Sequence, residues 1–328
     1  MAVLSHKGCR LGWAIQTDLG TAASVATVVF PLPEGTDFGP KWTKELYQNN
    51  QGNYERTHYF TSAYIAEGGI KFPWVPGMLT AATGAAPAYG DMYAGTGNPL
   101  FQWLFGRDQT SWQGKYATLF MDWGGNYSVI SDVKCTGGTI APEKGSPVYL
   151  DVNARSGKQP VQGVSGNFPA YSTGVWFDGT PYHGDNIYVQ KGTAGGALAI
   201  DNWTKGHSLE WDNQVIDAGD ASLIVYQNGP GPYALPNVAR TQWKGGFTRW
   251  FVDTYFPNTA NAAGFEGSYK LTVTSGASIG ELFLPRIVYV DGMYPKMPGD
   301  GIVQNEVTFE ALGGLGVPGV PCFTFREA

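Results

Sequence analysis

Apolar and polar positions along this chain follow two different periods. Segments 116–120 (Tyr-Ala-Thr-Leu-Phe) and 269–273 (Tyr-Lys-Leu-Thr-Val) are β-prone runs followed by glycine turns at Gly124-Gly125 and Gly276, which predicts strands. Segments 127–136 and 281–290 predict a second pair of strands, ending at Gly137-Gly138 and Asp291-Gly292. Segments 148–154 and 306–311 predict a third pair, each after a proline-containing loop. Two stretches carry a helical period instead. Leu100, Phe101, Trp103, Leu104 and Phe105 crowd behind Asn98-Pro99, a helix start with proline just inside it, and predict a helix over 98–106. In 246–256, Phe247, Trp250, Phe251, Thr254 and Tyr255 fall at helical spacing, so an aromatic stripe faces a sheet while Arg249 and Asp253 point away. The order helix, strand, strand, strand thus occurs twice, with Trp103 and Trp250 as equivalent core residues of the two helices.

Between the repeats, 156–173 collects Ser, Gly, Pro and Gln without an apolar period, the pattern of a linker. This divides the chain into an N-terminal β unit, 1–156, a linker, 157–173, and a C-terminal β unit, 174–328, that ends in a Gly/Pro-rich tail. Upstream of the first repeat, the alternation around 54–62 leaves neither face consistently apolar. Tyr54, Tyr59, Phe60 and Tyr64 therefore lack a common buried side. That pattern predicts a hairpin arm, about 48–66, which pairs with a neighbouring subunit.

Composition sharpens the β reading. Gly at 46 and Pro at 21 of 328 residues interrupt the chain too often for long helices, while 43% hydrophobic residues supply ample core. Charged residues make up only 15%, few for a fully solvated surface, which implies that much of the surface is covered by other subunits. A net charge of −6 provides no basic field for gripping nucleic acid. Cys9, Cys135 and Cys322 are odd in number and widely spread, the usage of free thiols in a reducing compartment. The polar, basic start of the chain and the lack of a long apolar run predict neither export nor a membrane span.

The sequence is poor in catalytic signals. Gly314-Leu315-Gly316-Val317-Pro318-Gly319 matches a dinucleotide-binding glycine pattern, but Pro318 and Pro321 preclude the helix such a site needs. His6, His58, His183 and His207 are far apart, and His6 with Cys9 is an isolated metal-like spacing. His183-Gly184-Asp185 reads as a turn rather than a base and its orienter. Glu210, Asp212, Asp217 and Asp220 offer carboxylate pairs for glycoside hydrolysis, but at polar turns they are better read as solvated. Trp176, Trp203, Trp211 and Trp243 offer a sugar-stacking platform, set against their more usual place in cores and interfaces. No catalytic residue, metal or cofactor is expected.

The glycine-rich segment 8–23 (GCRLGWAIQTDLGTAA), then Leu32-Pro33, then an aromatic helix leading into glycine-punctuated strands, resembles the tail tube (major tail) proteins of long-tailed bacteriophages. The similarity extends to Leu282-Phe283-Leu284-Pro285-Arg286-Ile287-Val288-Tyr289 followed by Val307-Thr308-Phe309-Glu310-Ala311-Leu312, which look like that family's C-terminal strands. The resemblance implies a mainly β fold of two tandem tail-tube-like β-sandwich or barrel domains, each with one short helix. It implies a structural virion protein, assembled in the host cytoplasm, whose stacked rings form the tail tube and conduct DNA during ejection without sequence-specific binding. Its partners would be other copies of itself and the tail-tip and head-proximal tail proteins. Three duplicated chains would close a ring with pseudo-sixfold symmetry; six chains with one tube unit each are the alternative. A carbohydrate-binding, adhesin-like β-sandwich, a capsid decoration protein and a glycosidase remain competing readings.

Overall fold

A computed structural model describes residues 8–32, 34–47, 58–79, 90–91, 99–105, 115–170, 175–177, 179–215, 241–297, 301–313 and 323–327. The chain is mainly β. Its strands are β1 (Arg10–Ile15), β2 (Val28–Pro31), β3 (Gly39–Tyr47), β4 (His58–Pro73), β5 (Gly90–Asp91), β6 (Ala117–Asp122), β7 (Tyr127–Ile140), β8 (Tyr149–Ser156) and β9 (Val161–Gln162). They continue with β10 (Val175–Trp176), β11 (Ile187–Thr193), β12 (Ala199–Ile200), β13 (Thr204–Asp212), β14 (Gln242–Trp250), β15 (Gly267–Ser275), β16 (Ser278–Asp291), β17 (Gln304–Ala311) and β18 (Thr324–Glu327). The helix α1 (Pro99–Leu104) lies between β5 and β6.

Long β7 organises the fold by belonging to two sheets. Its first half pairs with β6 and β9, and β6 leads through β1 to β2 and β10. Its second half lies between β8 and β13. From β8 the larger sheet runs through β4 to β3, and from β13 through β14, β17, β16 and β15 to β11 and β12. β18 lies beside the first half of β16. The strand changes sheet between Val133 and Lys134, just after an irregularity at Asp132, a buried non-glycine residue with φ of 55°. Its strained backbone is held from both sides: Asp132 N donates to Gln16 Oε1 at 2.6 Å, while Gln16 Nε2 and Gly20 N each donate to Asp132 Oδ1 at 2.8 Å.

α1 lies inside the molecule with Leu100, Phe101, Trp103 and Leu104 all buried. A helix end buried among apolar groups needs partners for its last carbonyls. Leu104 O accepts from Trp211 Nε1 and Asn213 Nδ2, each at 2.9 Å, and Trp103 Nε1 donates to Val133 O at 2.9 Å. Phe105, Trp211, Trp243 and Phe323 surround this end with ring centroids 4.8–5.7 Å apart. Burying each such ring removes 150–250 Å² from water, which makes this junction a large stabilising element.

The strands predicted after each aromatic segment form two antiparallel meanders, β6–β7–β8, shared between the two sheets, and β15–β16–β17, within the larger one. The predicted helix over 246–256 does not form. Residues up to Trp250 form β14, with β13 on one side and β17 on the other, and only Tyr255–Ala260 coils, as a π-helical turn. Alternation explains the difference: Trp243, Phe247 and Arg249 are buried while Gln242, Lys244 and Trp250 are exposed, a period of two. Trp250 is therefore not the counterpart of Trp103. Trp103 is fully buried in a helix, whereas Trp250 ends a strand with 37% of its surface exposed.

Gly137-Gly138 is likewise not a turn, since β7 continues through it to Ile140. The segment read as a linker docks on the smaller sheet through β9 and through Phe168, whose ring meets Phe120 and Tyr127. The β7–β13 pairing makes the larger sheet continuous across both halves of the chain, and one buried cluster spans them.

Candidate assembly surface

β3 and β4 form a hairpin in which Gly39 pairs with Glu67 and Tyr47 with His58. β4 meets β8 only along Ala66 to Pro73. From 58 to 65 its partner among the described residues is β3 alone, so a two-stranded ribbon extends past the edge of β8. At its base, Asp37 bonds to Gly69 through both backbone and carboxylate, and Arg155 pairs with Glu67 at 3.0 Å. Gly68, at φ of 150°, allows close contact there, because a side chain would strike the Asp37 carbonyl and Phe38 Cα. The hairpin begins at Gly39, upstream of the expected start of the arm. Tyr59, Phe60 and Tyr64 lie on β4 opposite Leu46, Glu45 and Trp42, while Tyr54 falls outside the described residues.

The outward face of the larger sheet is polar. Glu210, Lys244 and Glu310 stand in register across β13, β14 and β17, with Ser208, Gly246 and Thr308 beside them. A shallow groove of about 370 Å³ crosses these strands at Gly245-Gly246. A side chain at Gly245 would come within 2.6 Å of the Phe309 ring, which keeps the sheet thin there. The Lys244–Glu310 pair at 3.6 Å is half exposed and worth little energetically. Glu210 and Asp212 therefore occupy an open sheet face, Glu210 opposite a lysine and Asp212 accepting from Gln214 N at 2.7 Å; Asp217 and Asp220 lie outside the described residues.

Large apolar side chains remain exposed at the β16–β17 connection and the adjoining end of β14. They include Tyr294, Met297 (82% exposed), Ile302 and Val252. Lys296 bridges to Gln304, Gln304 pairs with Trp250, and Phe251 N donates to Val303 O at 2.9 Å, which brings these segments together.

The other candidate residues disperse. Trp211 and Trp243 are core residues, so the four-tryptophan platform does not form; Trp203 is exposed, and Trp176 is described only through the backbone of β10. His183-Gly184-Asp185 is the predicted turn, with His183 Nδ1 accepting from Asp185 N at 3.3 Å. His207 is sequestered on β13, where burial holds its imidazole down at about 4. His6, Cys322 and 314–319 lie outside the described residues, and His58 is described only through its backbone. Cys9 and Cys135 are buried, and burial pushes the Cys135 thiol up to about 12, far from a reactive thiolate. Among the described residues, no group of three or more His, Cys, Asp or Glu is placed to hold a metal, and no helix is long and apolar enough to cross a membrane. No known family model matches the sequence, and no significant match to a characterised protein is found.

Proposed function

We propose that this chain is a structural subunit that assembles with copies of itself into stacked rings forming a phage tail tube, a conduit for DNA. The observation that carries this reading is the β3–β4 ribbon, which runs beyond its own sheet and offers its backbone edges to a neighbour. Exposed apolar residues around Met297 and Ile302 add a surface suited to a contact between copies, and the 15% charged composition fits a chain covered on several sides. The polar, partly acidic outward face of β13, β14 and β17 supports a channel wall along which a polyanion slides without adhering.

Deleting 48–66 tests this reading. The intact chain is expected to form rings or tubes in negative-stain images, and the deletion variant to sediment as soluble monomers. Assembly of the deletion variant like the intact chain would remove the basis of the proposal.

A further inference from the structure

Away from the arm, β11, β12, the end of β14 and the turn at 253–256 enclose an open cleft of about 530 Å³. Four ionised side chains form its inner wall. Arg249 Nε donates to Asp201 Oδ2 at 3.0 Å, its Nη2 donates to Asp253 Oδ2 at 2.6 Å, and Lys191 pairs with the same Asp201 carboxylate. Asp201 is saturated, because Trp203 N and Thr204 Oγ1 also donate to it at 3.1 Å. Lys191 is not. Its side chain is 9% exposed, while its ammonium nitrogen is buried 4.0 and 5.0 Å from the centroids of Phe247 and Phe256, with Asp201 as its ion-pair partner. Two of its three donors thus lack an acceptor. Burial pulls this lysine down to about 8 despite the adjoining carboxylate, a sign of real desolvation.

A buried ion network is seldom more stabilising than apolar packing of the same volume, so its presence in a concave site is better explained by a ligand than by stability. The rim agrees. Trp203, 46% exposed, lines the cleft and lies 6.2 Å from the exposed ring of Trp250, while Asp253 keeps 45% of its side chain open to solvent.

We infer that this cleft binds a neutral pyranose unit, with Trp203 as the stacking face and Asp253 as acceptor. Asp253, with 45% of its side chain open to solvent, accepts from a sugar hydroxyl, and the buried Lys191 and Arg249 behind it keep the wall charged. The C–H face of the ring covers the indole. Two cations and two carboxylates leave no net charge to select an anion or a cation, and the cleft volume falls within the usual range for small-ligand sites.

The experiment uses the intact chain as purified, with negative-stain images taken in parallel, so failure of sugar binding and failure of tube assembly are read separately. Methyl glucoside, methyl galactoside, methyl mannoside and N-acetylglucosamine are titrated by tryptophan fluorescence and saturation-transfer NMR, with glucuronate and inorganic phosphate as anionic probes. At least one neutral sugar should bind saturably, and Trp203→Ala and Asp253→Asn should each weaken it tenfold or more while the circular dichroism spectrum is unchanged. Trp203 is nearly half exposed, so its variant carries the test, while Asp253 also pairs with buried Arg249 and its variant is compared with the parent by urea unfolding as well. Absence of saturable binding by the neutral sugars, retention of binding in Trp203→Ala, or binding of the anionic probes alone would overturn the inference.

Discussion

Two titratable residues, buried Glu327 and half-buried His207, act in opposite directions on stability. Glu327, at the end of β18, accepts from Leu79 N at 3.1 Å and Tyr182 OH at 3.3 Å, yet burial still pushes it from 4.5 up to about 7. The folded state therefore favours the protonated acid, so the stability it contributes is complete below pH 4.5 and is lost as pH rises through about 7. His207 does the reverse. Held at about 4 instead of 6.5, it contributes stability that is present above pH 6.5 and is lost as pH falls through about 4. Each displacement corresponds to about 3 kcal/mol, so the two slopes nearly cancel between pH 4.5 and 6.5. Lys134, lowered to about 7 by burial, stays charged and flat across that window. Glu327→Gln should expose the His207 slope: urea unfolding of the variant should show stability rising with pH from 4.5 to 6.5, where the parent is nearly level. An unchanged profile would mean that Glu327 is not the desolvated acid its surroundings imply.

At the scale of elements, close approach of backbones decides what a glycine means. A Cβ on Gly138 would meet the Asp151 carbonyl and come within 2.5 Å of the Trp211 ring, while one on Gly137 would strike the Trp211 carbonyl. The pair admits β8 and β13 on either side of β7 rather than turning the chain. Gly138→Ala should accordingly cost about 1–3 kcal/mol by overpacking, whereas Gly166→Ala, with open space around it, should change stability by less than about 0.5 kcal/mol. Equal effects in chemical denaturation would refute this account of the junction. The same elements show what local pattern conveys. The strands of both meanders and α1 were legible, because glycine turns bound the former and Asn98-Pro99 opens the latter. β14 was not, since its aromatic residues satisfy the helical and the strand period equally and only ladders on both sides select the strand. The cleft was legible only in part. Arg249 and Asp253 stand four apart, but they were placed on the solvent side of a helix, and Lys191 and Asp201 reach Arg249 from β11 and the loop before β13.

For the whole molecule, the repeated meander and the projecting ribbon bear on symmetry. If β6–β7–β8 and β15–β16–β17 are copies of one ancestral unit, each chain presents two related contact surfaces, and three chains joined head to tail close a ring with pseudo-sixfold symmetry. Only one half carries the β3–β4 ribbon among the described residues, so the ring should alternate between two kinds of lateral contact rather than repeat one. The channel of such a ring is expected to carry Glu210 and Glu310 from the polar face of the larger sheet, giving a negative potential that repels DNA phosphates over a distance of about 8 Å at physiological salt. Image reconstruction of assembled tubes should therefore show three chains per ring, two alternating lateral contacts and acidic side chains towards the axis. Six chains per ring would refute the trimer and leave the second meander as an outer decoration. A basic channel would refute the sliding argument, because phosphate contacts made along the whole length of a tube would hold DNA in place instead of letting it pass.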